Sequence, residues 1–308
     1  MQIHQKKKLA AGLSITSNII LSVLKIVTGI LSGSLSIISE AIHSLSDFFA
    51  SVLTFFSVIK SSQPADSDHP YGHGKYEDMA GFIEGILIIF ASLFIIFEAT
   101  KKIIFGISMD TESNLGIAVM FIAVVLNIIV SSILFKIAKE SNSISLYADG
   151  EHLRTDVYSS LGVLCGLILI KITGHSILDP VIAILVAVII FKTGYSISQR
   201  AGGNLLDHSL PEDNIKKIKD ILNAHADIVK LKENSIKARQ IGPSKDIDLI
   251  LQFPNNTTIC ECHKICDDIE QHIQTLYPNC NISIHSEPDC YRKNCKINCN
   301  KDCSNKLE

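Results

Sequence analysis

What this sequence has little of narrows its class. It has no tryptophan, only 19% charged residues and a formal net charge of -3. No basic patch with interleaved aromatics occurs, so nothing supports a nucleic-acid partner. Neither an H-E-x-x-H motif nor a phosphate-cradling glycine loop is present, which argues against a metalloprotease and against work driven by ATP. Of nine cysteines, Cys165 alone precedes residue 260. An odd total crowded at one end is not a disulfide framework, and thiols facing a reducing cytosol stay available to metal. The first apolar run follows Lys6-Lys7-Lys8 and has no small-residue cleavage site after it. We therefore expect a membrane anchor there rather than a signal peptide.

What is abundant is apolar sequence, 47% of the chain. Crossing a bilayer takes about 20 apolar residues in a helix. Six segments qualify, at 9–31, 35–59, 79–104, 115–138, 145–172 and 180–198. None shows the alternation of a β-barrel, and a backbone in lipid must satisfy its own hydrogen bonds, so six transmembrane helices are expected. Lys6, Lys7, Lys8, Lys60, Lys75, Lys136, Lys139 and Arg200 gather on one side, against Lys101, Lys102 and Lys171 on the other. That bias predicts cytoplasmic N- and C-termini.

After residue 209 the chain reads as a soluble domain. Ile215, Ile218, Ile221 and Leu222 share one face of a helix at 212–224. Strands are expected at 235–240 and 246–253 with Gly242-Pro243 as the turn, then a helix at 257–276 and a strand at 281–287. The order αββαβ suits a small α/β sandwich with its helices on one sheet face. The expected domains are 1–209 (transmembrane), 210–288 (α/β) and 289–308 (a Cys-rich flexible tail).

Two segments carry chemistry into the membrane. His43 and Asp47 lie in the second span, His152 and Asp156 in the fifth. Spacing i, i+4 stacks each pair on one helix face, about 6 Å apart along the axis. Two such pairs supply an N2O2 set, which suits tetrahedral zinc. Ionisable groups in mid-membrane cost about 2.5–3.5 kcal/mol each, so four at matched spacing need a common reason. The alternative is four separate helix-packing polar groups. Nearby Asp149, Glu151 and Arg154 are read as mouth or packing residues, off the face of His152.

Ser39-Glu40-Ala41-Ile42-His43-Ser44-Leu45-Ser46-Asp47 and Ala148-Asp149-Gly150-Glu151-His152-Leu153-Arg154-Thr155-Asp156 resemble the two signature segments of the cation diffusion facilitator family. The stretch from Gln63 to Glu77 resembles that family's loop between spans two and three, and the likeness runs nearly to Glu287. The resemblance implies a homodimeric exporter in the cell membrane, of bacterial or archaeal zinc/iron type. It also implies a cytoplasmic metal-sensing domain of ferredoxin-like or metallochaperone-like fold. Such a protein exchanges metal for protons by alternating access. It needs no organic cofactor; Zn2+ is substrate and regulator, and membrane lipid and protons are its other partners. His43 argues mildly against manganese, which favours harder oxygen ligands, and leaves Fe2+, Cd2+, Co2+ and Ni2+ open.

Further sites follow from the same resemblance. Asp66, His69 and His73 match a loop-borne metal site, the alternative being a polar connector with solvated histidines. Lys75 and Asp207 match a charge interlock between the two domains near the dimer interface. His263, His285 and Glu287 match a domain metal site, although Asn234 and Ile250 stand where some members have histidine. Outside the family pattern, Cys262 and Cys266 share a helix face, and Cys290, Cys295, Cys299 and Cys303 could close on one Zn2+ or Cu+. The alternative is a dispensable tail. A non-transporting membrane metal sensor is the rival function, and intramembrane ligands on two separate helices argue against it.

Overall fold

The computed structural model describes residues 3–32, 35–105, 114–173, 177–225, 229–254 and 256–289. Within these ranges it describes side chains except at 29, 31–32, 35–46, 114–117, 120, 163–173, 179 and 230–234. Two compact units result, Met1–Leu206 with Ile241–Pro243, and Asp207–Gln240 with Ser244–Glu308.

The first unit contains six long helices: α1 (Ile3–Ser32), α2 (Leu35–Ser61), α3 (Lys75–Phe105), α4 (Asn114–Ser141), α5 (Ile144–Thr173) and α6 (Leu178–Leu205). Most outrun the expected apolar spans by several residues, because polar turns such as Lys75–Asp78 and Arg200–Leu205 continue the same helices. Four of them, α1, α3, α4 and α6, are long and apolar enough over described residues to cross a membrane. The other two, α2 and α5, carry the His/Asp pairs.

The bundle is turned inside out relative to a soluble core. Phe49, Phe56, Phe90, Phe94, Phe97 and Phe121 point outward, each more than 60% exposed, while Ser14, Ser51, Thr54, Ser92 and Ser131 are buried. That distribution fits lipid as solvent, where packing of small and polar residues joins helices. Helices α3 and α6 approach each other closely. A Cβ on Gly194 would stand 2.9 Å from the Gly85 carbonyl oxygen and 3.0 Å from the Ile89 nitrogen, so glycine lets the two backbones touch. Toward one end, the buried Lys7 of α1 pairs with the buried Glu77 of α3. Glu77 also accepts from Ser61 at 2.6 Å, from Ser143, and from Ser145 at 3.4 Å. One carboxylate thus joins α1, α2, α3 and the start of α5.

The second unit runs α7 (Glu212–Asn223), β1 (Lys230–Ile241), β2 (Ser244–Phe253), α8 (Ile259–Leu276) and β3 (Cys280–Pro288). The strands line up in the order β1-β2-β3. A two-residue turn at Gly242-Pro243 joins β1 to β2, as only antiparallel neighbours allow, and Gly242 takes φ 53°, the left-handed region. Strand β3 returns parallel to β2, with Leu249 opposite Ile284 and Ile250 opposite His285. In β2, Ile247, Leu249, Leu251 and Phe253 are buried beneath Ile218, Leu222, Ile269 and Ile273 of α7 and α8. The alternation seen in the sequence is the core face of this sheet. Thr258 caps α8: its hydroxyl accepts from the Glu261 backbone, and the Glu261 carboxylate accepts from the Thr258 backbone.

Candidate metal centre

The bundle brings one residue of each expected intramembrane pair together. His152 Nε2 of α5 lies 2.9 Å from Asp47 Oδ1 of α2, and both side chains are buried. Two ligands at about 2.0–2.1 Å from a tetrahedral zinc ion stand roughly 3.3 Å apart, so this spacing needs little adjustment to hold one ion. Asp156 follows His152 by one turn of α5 and is partly buried. His43 lies one turn before Asp47 on α2; its side chain is outside those described.

A correction concerns Asp149, read from sequence as a mouth or packing residue off the His152 face. Three residues along a helix fall only about 60° short of a full turn, so Asp149 stays on that side. It is 1% exposed. Its Oδ1 accepts from Ser51 at 3.0 Å, and Ser51 is linked to Ser14 at 3.0 Å and to Asn18 at 2.7 Å. On α2, Asp47, Ser51 and Thr54 share one face, and Thr54 donates to the fully buried Glu84 of α3. Asp149 Oδ2, Glu84 Oε2 and His152 Nδ1 are buried without a hydrogen-bond partner among the described residues. Buried polar atoms are normally satisfied, so three unpartnered ones in one region of the bundle single it out as a candidate site. Glu84 was not singled out from the sequence, although a carboxylate set between Ile83 and Gly85 in the apolar run 79–104, well inside the span, was the available signal. Arg154 does pack, its guanidinium 4.4 Å from the Phe135 ring centroid.

The loop residues also converge. Asp66, His69 and His73 place one ligand atom each within 4.8 Å of one another. His69 Nδ1 and His73 Nε2 are each 3.3 Å from an Asp66 oxygen. His73 Nδ1 is 3.1 Å from the Pro64 carbonyl. A carbonyl only accepts, so Nδ1 carries the proton and Nε2 is left facing Asp66, the outer-shell arrangement typical of ligating histidines. The His69 backbone N–H donates to Asp66 and holds its carboxyl below the ordinary value. No regular helix is needed, because this loop turns through Gly72 at φ 84°.

In the second unit, the structure places the expected residues less tightly. His285 Nε2 is 3.8 Å from Glu287 Oε1, while the exposed His263 pairs with Asp267 at 3.4 Å. His263 and Glu287 line one groove of about 580 Å³ with Cys262 and Cys266. Cys266 is buried and its Sγ is 3.6 Å from Ser286 Oγ. Burial pushes that thiol up from its ordinary pKa, which makes it a reluctant ligand. Asp207 accepts from Arg239 at 3.0 Å, and Lys75 reaches the Leu205 carbonyl at 3.5 Å. Cys290, Cys295, Cys299 and Cys303 lie outside the described residues.

Comparison with known proteins covers both units. Residues 12–206 match the cation efflux transmembrane domain, and residues 210–289 match the cation efflux protein cytoplasmic domain. An uncharacterized transporter of Synechocystis is 32% identical over 278 residues, 90% of this chain and 89% of its own. A second uncharacterized transporter, of Methanocaldococcus jannaschii, is 32% identical over 86% of this chain and 92% of its own. The cation-efflux pump FieF of Shewanella oneidensis is 27% identical over 91% of this chain and 94% of its own.

Proposed function

This chain belongs to the cation diffusion facilitator (cation efflux) family of membrane transporters, and on that premise we propose that it exports a divalent transition metal ion, zinc foremost, in exchange for protons. The observation that carries the reading is the buried contact between His152 and Asp47. A hydrogen bond between an imidazole nitrogen and a carboxylate holds a proton between them. An ion bound by both atoms leaves no room for that proton, because ligation needs neutral imidazole and ionised carboxylate. Loading the site with metal then releases protons, and reprotonation from the more acidic side expels the ion. His43 and Asp156 would complete the N2O2 set. The buried neighbours Asp149 and Glu84 keep these surroundings polar enough to admit an ion that must shed water.

The positive charge bias of the loops supports cytoplasmic termini, and the cation efflux family match supports export. The match to the cytoplasmic domain supports a homodimer, with His263, His285 and Glu287 drawing remaining ligands from the second copy. Asp66, His69 and His73 form a second, loop-borne site, in which His73→Ala should remove one bound metal ion per chain. An unchanged count would assign those histidines to loop packing alone.

The decisive assay is metal-driven proton flux in proteoliposomes, comparing Zn2+, Cd2+, Fe2+ and Mn2+ for the wild type and Asp156→Ala. Zinc should move protons in the wild type and not in the variant, and the order of the metals gives selectivity. Zinc binding without flux for any metal would replace the transporter reading with that of a membrane sensor.

A further inference from the structure

A separate cluster of metal-ligating side chains in the second unit shares none of the residues assigned to the sites above. His225 follows the end of α7, and Asp268 and His272 stand one turn apart on α8. One ligand atom from each falls within 4.8 Å of the others. His225 Nε2 is 2.8 Å from Asp268 Oδ2, and His272 Nδ1 is 3.8 Å from the same oxygen. These separations bracket the roughly 3.3 Å between neighbouring ligands of tetrahedral zinc. From the geometry we infer that His225, Asp268 and His272 form a further metal site, taking Zn2+ or an ion of similar borderline character, with water in the fourth position.

The orientation of His225 supports this. Its Nδ1 lies 3.1 Å from the Ile221 carbonyl oxygen, which can only accept, so Nδ1 carries a proton and the ring turns Nε2 toward Asp268 and His272. Ligating histidines are held in this way by a carbonyl behind the ring. Asp268 and His272 repeat the i, i+4 spacing of the intramembrane pairs, which stacks them on one helix face. The side chains are 16%, 53% and 57% exposed in the order His225, Asp268, His272, so an ion can enter from solvent. Bound there, it ties the end of α7 to α8 within a single protomer.

The competing explanation is an ion pair between His225 and Asp268 that needs no metal. His272 separates the two, because the pair does not require it. The full chain, stripped with chelator, is equilibrated with buffered micromolar Zn2+ and its metal counted by elemental analysis. We expect His272→Ala and Asp268→Asn each to bind one zinc fewer per chain than the wild type. In His272→Ala the metal-free melting temperature should stay unchanged, with a smaller rise on adding zinc. If His272→Ala binds as many zinc ions as the wild type, the cluster is an ion pair only and the inference is overturned. Should Asp268→Asn fail to fold, the exposed His272 still decides the matter.

Discussion

Replacing Glu77 by glutamine tests how the bundle is held together. Lys7 and Glu77 are 2% and 0% exposed, and the carboxylate serves Lys7, Ser61, Ser143 and Ser145 at once. Glutamine keeps the size and one acceptor oxygen but leaves the Lys7 ammonium buried without a countercharge. Breaking one side of a buried pair costs about 3–5 kcal/mol. At about 2–4 °C per kcal/mol for a domain of this size, the melting temperature should fall by roughly 6–20 °C. Far-UV circular dichroism of the detergent-solubilised chain measures the shift, and it suits a protein without tryptophan. Lys7→Met combined with Glu77→Leu removes both charges and should recover most of the loss, since well-packed apolar replacements of buried pairs are often neutral. Because the cluster contains none of the intramembrane ligands, the apparent zinc affinity of folded Glu77→Gln should match the wild type. A melting temperature within about 2 °C of the wild type, or a double variant as unstable as the single, would refute the reasoning.

Two further outcomes follow from packing and capping. Gly194→Ala places a Cβ 2.9 Å from the Gly85 carbonyl and should destabilise by about 1–3 kcal/mol in the same melting assay. By contrast, Gly12→Ala meets only a Phe55 ring carbon at 3.8 Å inside α1 and should melt at or slightly above the wild type. The Glu261 carboxyl is held below its ordinary pKa by the Thr258 backbone N–H and then the Thr258 hydroxyl. A depressed carboxylate contributes stability above its unfolded pKa and loses it as pH falls through the folded value. Amide exchange at the start of α8 should therefore quicken, beyond its intrinsic pH trend, as pH drops below about 4.3, and Glu261→Gln should abolish that excess.

Helical periodicity is a local property, and everything that depended on it alone was legible in the sequence. That His43 and Asp47, like His152 and Asp156, fall one turn apart on their helices follows from 3.6 residues per turn, whatever the helices pack against. The alternation of Ile247, Leu249, Leu251 and Phe253 marked the buried face of β2 for the same reason. Polar turns continuing the spans, as at Lys75–Asp78, were missed because hydropathy reports lipid contact rather than helix length.

The approach of α5 to α2, which puts His152 against Asp47 across 105 positions, was decided by tertiary packing. So was the fate of Asp149 and Glu84: a carboxylate's sequence neighbours do not say which helix will cover it, and only the bundle buries these two beside Ser51 and Thr54. His225 is 43 residues from Asp268, and the two meet because the apolar faces of α7 and α8 pack on the same sheet. The spacing within one helix sets which side chains share a face, whereas the folding of the whole chain sets which faces meet. A metal site that draws ligands from two elements therefore exists only in the folded protein.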